Sequence, residues 1–417
     1  MINNEATLFW QDYTGSAAFS YSDLIADLNA STHLQRHVYT ADYYTVFKNI
    51  LLAVLSGKKI ILLDADFSPA EVAENLNDKV SLSDKVEISF PKIEHKKDLL
   101  DSLHKTHEKF NISLFTSGTT GRPKQITHNF ASLTRAVRTS EKSNNNVWGF
   151  AYNPTHFAGL QVFFQALLNG NTLIRLFGTS KTRFIELVNK YQITHISATP
   201  TFYRLLLPPK EILPSVRRIT FGGEKFDPMT RKALEHLFPN AKFLNVYAST
   251  EGGTLFATEN GNVFTIKPEV EDKVKIMDGE LFIHQSLLGS SPSFILKEGW
   301  FASGDLVEII SENPLKFSFI SRKNEMINVG GYKVNPHEVE SVLSELEGVK
   351  EVLVFARANS VVGSIVCCDL VVDNEDLTIP SIRKHLSTKL QPFKIPRIIK
   401  FVAAIEKTKT GKKSRKK

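Results

Sequence analysis

Ser113-Leu114-Phe115-Thr116-Ser117-Gly118-Thr119-Thr120-Gly121-Arg122-Pro123-Lys124 is the stretch that decides how the rest of the chain is read. A β-prone run, Ile112-Ser113-Leu114-Phe115, leads into two glycines, four hydroxyls and two cations within nine residues. Glycines let backbone N–H groups approach an oxyanion, hydroxyls donate to it and Lys or Arg neutralises it, so the composition suits a polyphosphate cradle. A polar turn rich in threonine is the plainer alternative. A Walker loop is excluded, because it needs Gly-Lys-Ser/Thr opening a helix and here Pro123 precedes Lys124.

Outward from this segment, short β-rich runs alternate with amphipathic stretches. Trp148–Tyr152, Thr172–Leu176, Thr194–Ser197, Arg218–Phe221 and Phe243–Val246 read as strands, and Ser180–Tyr191 and Asp227–Phe238 as helices. Thr199-Pro200 supplies a capping hydroxyl and a first-turn proline for another helix. The alternation predicts an α/β fold, with a large N-terminal domain of mostly parallel sheets covered by helices. After Gly253 short strands and turns take over, and Asp278-Gly279 between apolar runs predicts a hairpin in a small β-rich part spanning about 254–320. A third texture begins near Ser321. There Asn335-Pro336-His337-Glu338 reads as a capping box, ahead of Val339, Val342, Leu343 and Leu346 at helical spacing. Strands at 352–355, 365–372 and 398–402 and a helix at 381–390 complete a small α+β domain. The expected division is 1–321 and 322–417.

Ligands of parallel sheets collect at the carboxyl ends of strands, and two such ends carry suggestive residues. One holds Gly222-Gly223-Glu224, the other Tyr247-Ala248-Ser249-Thr250-Glu251-Gly252. Tyr247 offers a ring face for a base, Thr250 a hydroxyl for a phosphate and Glu251 a hard oxygen ligand for Mg²⁺. Ser303-Gly304-Asp305 sets a carboxylate at a tight turn, suited to a ribose diol. Arg322-Lys323-Asn324, Gly330-Gly331 and the terminal Thr410-Gly411-Lys412 follow in that order.

Taken in series these segments resemble the adenylate-forming superfamily, which includes acyl- and aryl-CoA synthetases, nonribosomal peptide adenylation domains and firefly-type luciferases. The likeness runs from about residue 107 to the end, and more loosely upstream. It implies that Thr116, Ser117, Gly118, Thr119, Thr120, Gly121 and Lys124 hold the β- and γ-phosphates of ATP. Gly222, Gly223, Glu224 and Tyr247 would line the adenine pocket, and Thr250 would touch the α-phosphate. Glu251 would bind Mg²⁺, and Asp305 with Arg322 would hold the ribose. Lys412 is similar to the family's adenylation lysine, on a C-terminal domain that turns about Asn324, where the family usually has Asp or Lys. That rotation would present Gly330 and Gly331 to a pantetheine arm; a plain β-turn is the alternative for the two glycines. His156, in Asn153-Pro154-Thr155-His156-Phe157-Ala158-Gly159, matches a family segment beside the acyl group. His128 reads as structural. Amino-acid-activating relatives tend to carry an Asp near His156. None occurs between Asn144 and Gly170, which favours an aryl or medium acyl acid.

The implied reaction joins a carboxylic acid to AMP, releases pyrophosphate and passes the acyl group to coenzyme A. A stand-alone enzyme loading the phosphopantetheine of an acyl carrier protein is the alternative, and a non-catalytic nucleotide-binding relative a third. Family members usually run longer, so the first 106 residues are expected to be compact.

Composition narrows the rest. The net charge of +7 is carried by Lys407, Lys409, Lys412, Lys413, Arg415, Lys416 and Lys417; the remainder balances 44 bases against 44 acids. A nucleic-acid partner is therefore not expected, and Lys413, Arg415, Lys416 and Lys417 read as a solvated run. The most apolar stretch, Ile50 to Leu63, is split by Ser56-Gly57-Lys58-Lys59, too short for a membrane span. MINNEATLFW lacks a secretory pattern, and Cys367-Cys368 read as two buried small hydrophobes in a strand, so a cytoplasmic protein is expected.

Overall fold

The computed structural model describes residues 7–13, 17–68, 71–73, 82–105, 109–116, 124–209, 211–223, 228–259, 261–329, 332–359, 363–374, 376–407, 413 and 415. The chain divides into two compact units, 1–261 with 283–301, and 262–282 with 302–417. The β-rich stretch thus groups mainly with the C-terminal residues.

The first unit is built mainly on two sheets, beside the short antiparallel pair His33–Gln35 and Lys85–Glu87. In the larger, the strands run Gly253–Thr258, Lys242–Ser249, Arg218–Gly222, His195–Ala198, Val147–Phe150, Thr172–Arg175, Leu8–Gln11 and Ala18–Ser20. All neighbours are parallel except at the two edges, where Gly253–Thr258 and Ala18–Ser20 pair antiparallel. The smaller sheet runs His37–Tyr39, Lys59–Leu63, Asn111–Thr116 and Lys124–Asn129, with only the last pair antiparallel. The first 106 residues do not stand apart, for they supply strands to both sheets and share one core with residues as distant as Leu173. Phe47 is fully buried in that core. It stacks on Phe163 at 4.5 Å and meets Trp10 and Phe150 edge-on at 5.1 and 5.3 Å. Its helix, Tyr43–Ser56, is capped by Asp42 and stopped by Gly57 at φ 64°. Thr199 caps Pro200–Arg204, as the sequence predicts, and Ser180, read there as the first helical residue, caps Lys181–Tyr191.

A sheet whose residues fall mostly in the second unit contains Val263–Thr265, Leu315–Arg322, Trp300–Glu312, Glu280–His284 and Val274–Met277 in that order. Asp278 and Gly279, at φ 51° and 72°, turn its last hairpin in the primed geometry that matches strand twist. The other sheet runs Tyr332–Val334, Ile327–Val329, Gly363–Val372 and Val349–Asn359, with Ile398–Phe401 parallel to Gly363–Val372. Cys367 and Cys368 are buried and face separate apolar clusters across it. The capping box at Asn335 is only half made. Asn335 accepts from the His337 N–H, but Glu338 pairs with Lys394 at 2.7 Å instead of reaching back. No helix among the described residues is long and apolar enough to cross a membrane.

Candidate active site

Thr116 and Lys124 are register partners across Asn111–Thr116 and Lys124–Asn129, so the backbone at both mouths of the intervening segment is fixed by the ladder. The segment itself, Ser117, Gly118, Thr119, Thr120 and Gly121 with Arg122 and Pro123, lies outside the described residues, as do Glu224, Gly330, Gly331 and Lys412.

The sheet builds the turn after Ser249 more fully. Gly222 and Val246 are partners in adjoining parallel strands, and a Cβ on Gly222 would stand 2.6 Å from the Val246 side chain and 2.9 Å from its carbonyl oxygen. Only glycine allows that approach, and Gly223 then turns at φ 80°. Tyr247 sits opposite Phe256 with ring centroids 5.7 Å apart, which holds its ring against the edge strand Gly253–Thr258.

Beyond Ser249 three successive carbonyls are taken by donors from other parts of the unit. His128 Nε2 donates to the Thr250 oxygen at 2.7 Å, the Gly289 N–H to the Glu251 oxygen at 2.8 Å, and Arg135 Nη2 to the Gly252 oxygen. The Gly252 N–H in turn donates to Ser249 Oγ at 3.0 Å. With its backbone spoken for, the turn offers the side chains of Thr250 and Glu251, which hydrogen-bond to no described residue. His128 is buried, and that burial, reinforced by the Arg135 charge, pushes its pKa down to about 4. It is therefore a neutral strut, in keeping with the structural reading. Arg135, also donating to the Leu287 oxygen at 3.0 Å, went unnoticed in the sequence because its partners are backbone groups more than a hundred residues away.

The helix Phe157–Leu167 packs against the same turn. A Cβ on Gly253 would stand 2.9 Å from Phe157 Cζ, and the Phe157 ring lies 4.9 Å from that of His128. His156 occupies the cap position of this helix. Gly159 follows three residues later because a Cβ there would meet the Asn153 carbonyl oxygen at 2.2 Å. His156 Nε2 lies 2.9 Å from Asp64 Oδ2, at the end of the strand Lys59–Leu63. Sequence reasoning looked for a carboxylate between Asn144 and Gly170 and so missed Asp64; its position after a parallel strand was the available signal.

Asp305 and Arg322 belong to the second unit and are register partners there, with Arg322 Nε 2.6 Å from Asp305 Oδ1. Gly304 bends at φ 74°, its N–H donating to Glu280, and Lys323 pairs with the same carboxylate at 2.7 Å. Asn324 is exposed in a short 3-10 turn between Lys323 and Glu325. Val329 and Tyr332 pair on either side of the two glycines.

The tail overturns one expectation. Lys413 and Arg415 are not a solvated run. Lys407 and Lys413 form an antiparallel bridge, and Lys413 Nζ donates to the Val352 oxygen at 2.5 Å. Arg415 binds both oxygens of Glu340 and the Val354 oxygen. His337 adds to the cluster, 3.2 Å from Glu325 and 3.2 Å from Glu340.

No three acidic, His or Cys side chains converge as a metal centre among the described residues. Glu251 alone fits Mg²⁺, an ion that commonly takes one or two carboxylates and completes its shell with phosphate oxygens and water.

The family of AMP-binding enzymes matches residues 24–280, and the C-terminal domain of AMP-binding enzymes matches 338–412. Among curated proteins the chain is similar to a 2-succinylbenzoate–CoA ligase of Staphylococcus epidermidis, 27% identical over 341 residues that cover 74% of this chain and 70% of that one. It is also similar to the malpibaldin synthetase of Mortierella alpina, 25% identical over 73% of this chain and 6% of that one. The fold is that of the o-succinylbenzoate CoA synthetase from Bacillus subtilis in complex with its acyl-adenylate intermediate (TM-score 0.73, 19% identity, 99% and 95% of the two chains).

Proposed function

The chain belongs to the family of AMP-binding enzymes, and from that membership we propose that it is an AMP-forming acid–thiol ligase. It joins a carboxylic acid to AMP with release of pyrophosphate, then passes the acyl group to the thiol of coenzyme A. The observation that carries this reading is the Thr250–Gly252 turn. Its three carbonyls are held by His128, Gly289 and Arg135, so two side chains suited to phosphate and Mg²⁺ are presented on a fixed backbone.

A carboxylate has no competent leaving group, and attack on ATP sets one anion against another. The protein's work is therefore positional and electrostatic. Thr250 donates to the α-phosphate, Lys124 and the residues 116–121 neutralise the departing pyrophosphate, and Tyr247 with Gly222–Glu224 seats the base. Asp305 and Arg322 receive the ribose, the guanidinium being the carboxylate's partner until the diol competes for it. Bound Mg²⁺ supplies Lewis-acid neutralisation of the phosphates, with Glu251 as its protein ligand. Lys412 brings a compact positive charge to the reacting carboxylate and withdraws as residues 322–417 turn about Asn324.

The acid is an aryl or medium acyl acid without an α-amine. The carboxylate nearest His156, Asp64, already accepts three hydrogen bonds and has little left to offer an ammonium group. Coenzyme A is favoured over a carrier protein by the ligase relatives.

Acid-dependent ATP–pyrophosphate exchange, run across a panel of carboxylic acids, tests the first step. Exchange with none of them rejects the reading. Free coenzyme A added with the active acid should yield a thioester by mass; thioester only on a carrier protein would transfer the acceptor role. Glu251→Gln keeps the shape but removes a charge, so it should raise the Mg²⁺ concentration needed for half-maximal exchange and lower the rate by roughly 10²-fold. An unchanged Mg²⁺ dependence would remove Glu251 from the metal.

A further inference from the structure

Asp64 and His156 are joined through a chain of hydrogen bonds whose every polarity can be read. Asn153 Oδ1 accepts from the Thr155 N–H at 2.9 Å and from Thr155 Oγ1 at 2.8 Å, which leaves its amide nitrogen facing Asp64. That nitrogen donates to Asp64 Oδ1 at 3.1 Å, and the Asp66 N–H donates to the same oxygen at 3.0 Å. The other oxygen, Oδ2, stands 2.9 Å from His156 Nε2. A carboxylate only accepts, so Nε2 carries a proton, and the tautomer this selects has its lone pair on Nδ1. Nδ1 bonds to no described residue, and the side chain is 27% exposed while Asp64 is 9% exposed. Burial works against the Asp64 charge, but the His156 bond and the Asp66 N–H outweigh it and hold the carboxyl below its ordinary value.

The other imidazole beside the Thr250–Gly253 turn is unsuited to proton transfer. His128 spends Nε2 on the Thr250 oxygen, has Ser132 Oγ 3.1 Å from Nδ1, and is buried. His156 is the opposite case, partly open, with an oriented ring and an acceptor that no described residue takes. The adjoining Phe157 packs on Gly253, so the dyad stands at the edge of the proposed site.

Resting on the ligase reading, we propose that Asp64 is the positioning residue of a dyad in which His156 Nδ1 takes the thiol proton during acyl transfer. The S–H bond breaks toward Nδ1 while sulfur attacks the carbonyl carbon of the acyl-adenylate. A C–S bond forms, the bond from that carbon to the phosphate oxygen breaks, and AMP leaves with its electron pair. The imidazolium, held against the Asp64 carboxylate, then returns its proton to water. Adenylate formation involves no such proton, since the attacking carboxylate has none to lose, so the dyad serves the second half-reaction.

The hydrogen-bond chain makes Asp64→Asn an informative change. Two donors converge on the Oδ1 position, which compels the new amide to place its oxygen there and its NH₂ toward His156. Nε2 must then accept, the ring proton moves to Nδ1, and the acceptor is lost. Imidazole ¹⁵N spectra of the full chain, with His156 assigned by its own substitution, should show Nε2–H in the wild type and Nδ1–H in the variant. Single-turnover thioester formation from supplied acyl-adenylate should fall by on the order of 10²-fold, with pyrophosphate exchange reduced less than about threefold. An unmoved tautomer, an undiminished thioester step, or equal loss of both half-reactions overturns the proposal. Absence of exchange in the wild type would instead overturn the ligase reading, with the tautomer shift still legible. Should Asp64→Asn not fold, His156→Ala takes its place: thioester formation from supplied adenylate should drop by roughly 10²-fold and recover at least tenfold with added imidazole. A rate that is undiminished or not recovered would reject the dyad.

Discussion

Replacing Lys412 with alanine is expected to slow acyl-adenylate formation by on the order of 10²–10³-fold while sparing, within a few-fold, thioester formation from adenylate supplied ready-made. The asymmetry follows from charge. In the first half-reaction an anionic carboxylate approaches an anionic phosphate, and a desolvated ammonium near both is worth most when their charges are closest. In the second the attacking thiol meets a neutral carbonyl, and a lysine left in place would only obstruct it. Pyrophosphate exchange measures the first step and mass detection of thioester the second. Equal loss in both would remove Lys412 from its assigned role, and no loss in either would undo the two-step account.

That prediction rests on resemblance at residue 412, and the contrast with the rest of the site shows what a sequence exposes. Motifs whose partners lie nearby in the chain were legible. Thr199-Pro200 capped its helix, Asp278-Gly279 turned its hairpin, and Gly222 and Tyr247 fell at strand ends. The alternation from residue 111 onward gave the parallel sheet for the same reason. What stayed hidden depends on pairing over long separations. Trp10 is the register partner of Leu173, and Asp64 meets His156 across 92 residues, with no local periodicity to announce either. Asn335 shows a subtler failure. Its box spacing was present, but Lys394 from a distant turn outbid the local backbone for the Glu338 carboxylate.

The basic tail was misread on similar grounds, and it yields the second large effect. A run of lysines reads as solvated until a buried acid is found beneath it. Arg415 is 17% exposed and Glu340 13%, with Arg415 Nη2 2.9 Å from Oε2 and Nη1 on Oε1. Arg415→Ala leaves the buried Glu340 carboxylate with His337 and the Val354 N–H but no guanidinium, and breaking a buried pair from one side costs about 3 kcal/mol or more. Hydrogen exchange in the helix Pro336–Leu343, which carries both acid and imidazole, should speed up accordingly. Pairing Arg415→Ala with Glu340→Leu should recover much of the loss, because the stranded charge is removed with its partner.

The same cluster fixes a pH window. Burial opposes the Glu340 charge, but His337 and Arg415 prevail and lower its pKa to about 2. Its contribution to stability is therefore complete above the ordinary 4.5 and is lost as pH falls toward 2. Burial likewise opposes charge on His337, yet Glu325 and Glu340 outweigh it and raise its pKa above the ordinary 6.5. Its contribution is complete below 6.5 and fades as pH rises through the raised value. Protection of this helix should accordingly be greatest between those limits, after correction for intrinsic exchange, and Arg415→Ala should lower it there. Since Lys413 and Arg415 fasten the chain immediately after Lys412, that variant should also slow pyrophosphate exchange, with Arg415→Lys intermediate. Unaltered exchange chemistry alongside a loosened helix would separate the anchor from catalysis. An unaltered helix would show that the tail is held by its backbone bridge at Lys407 and Lys413 instead.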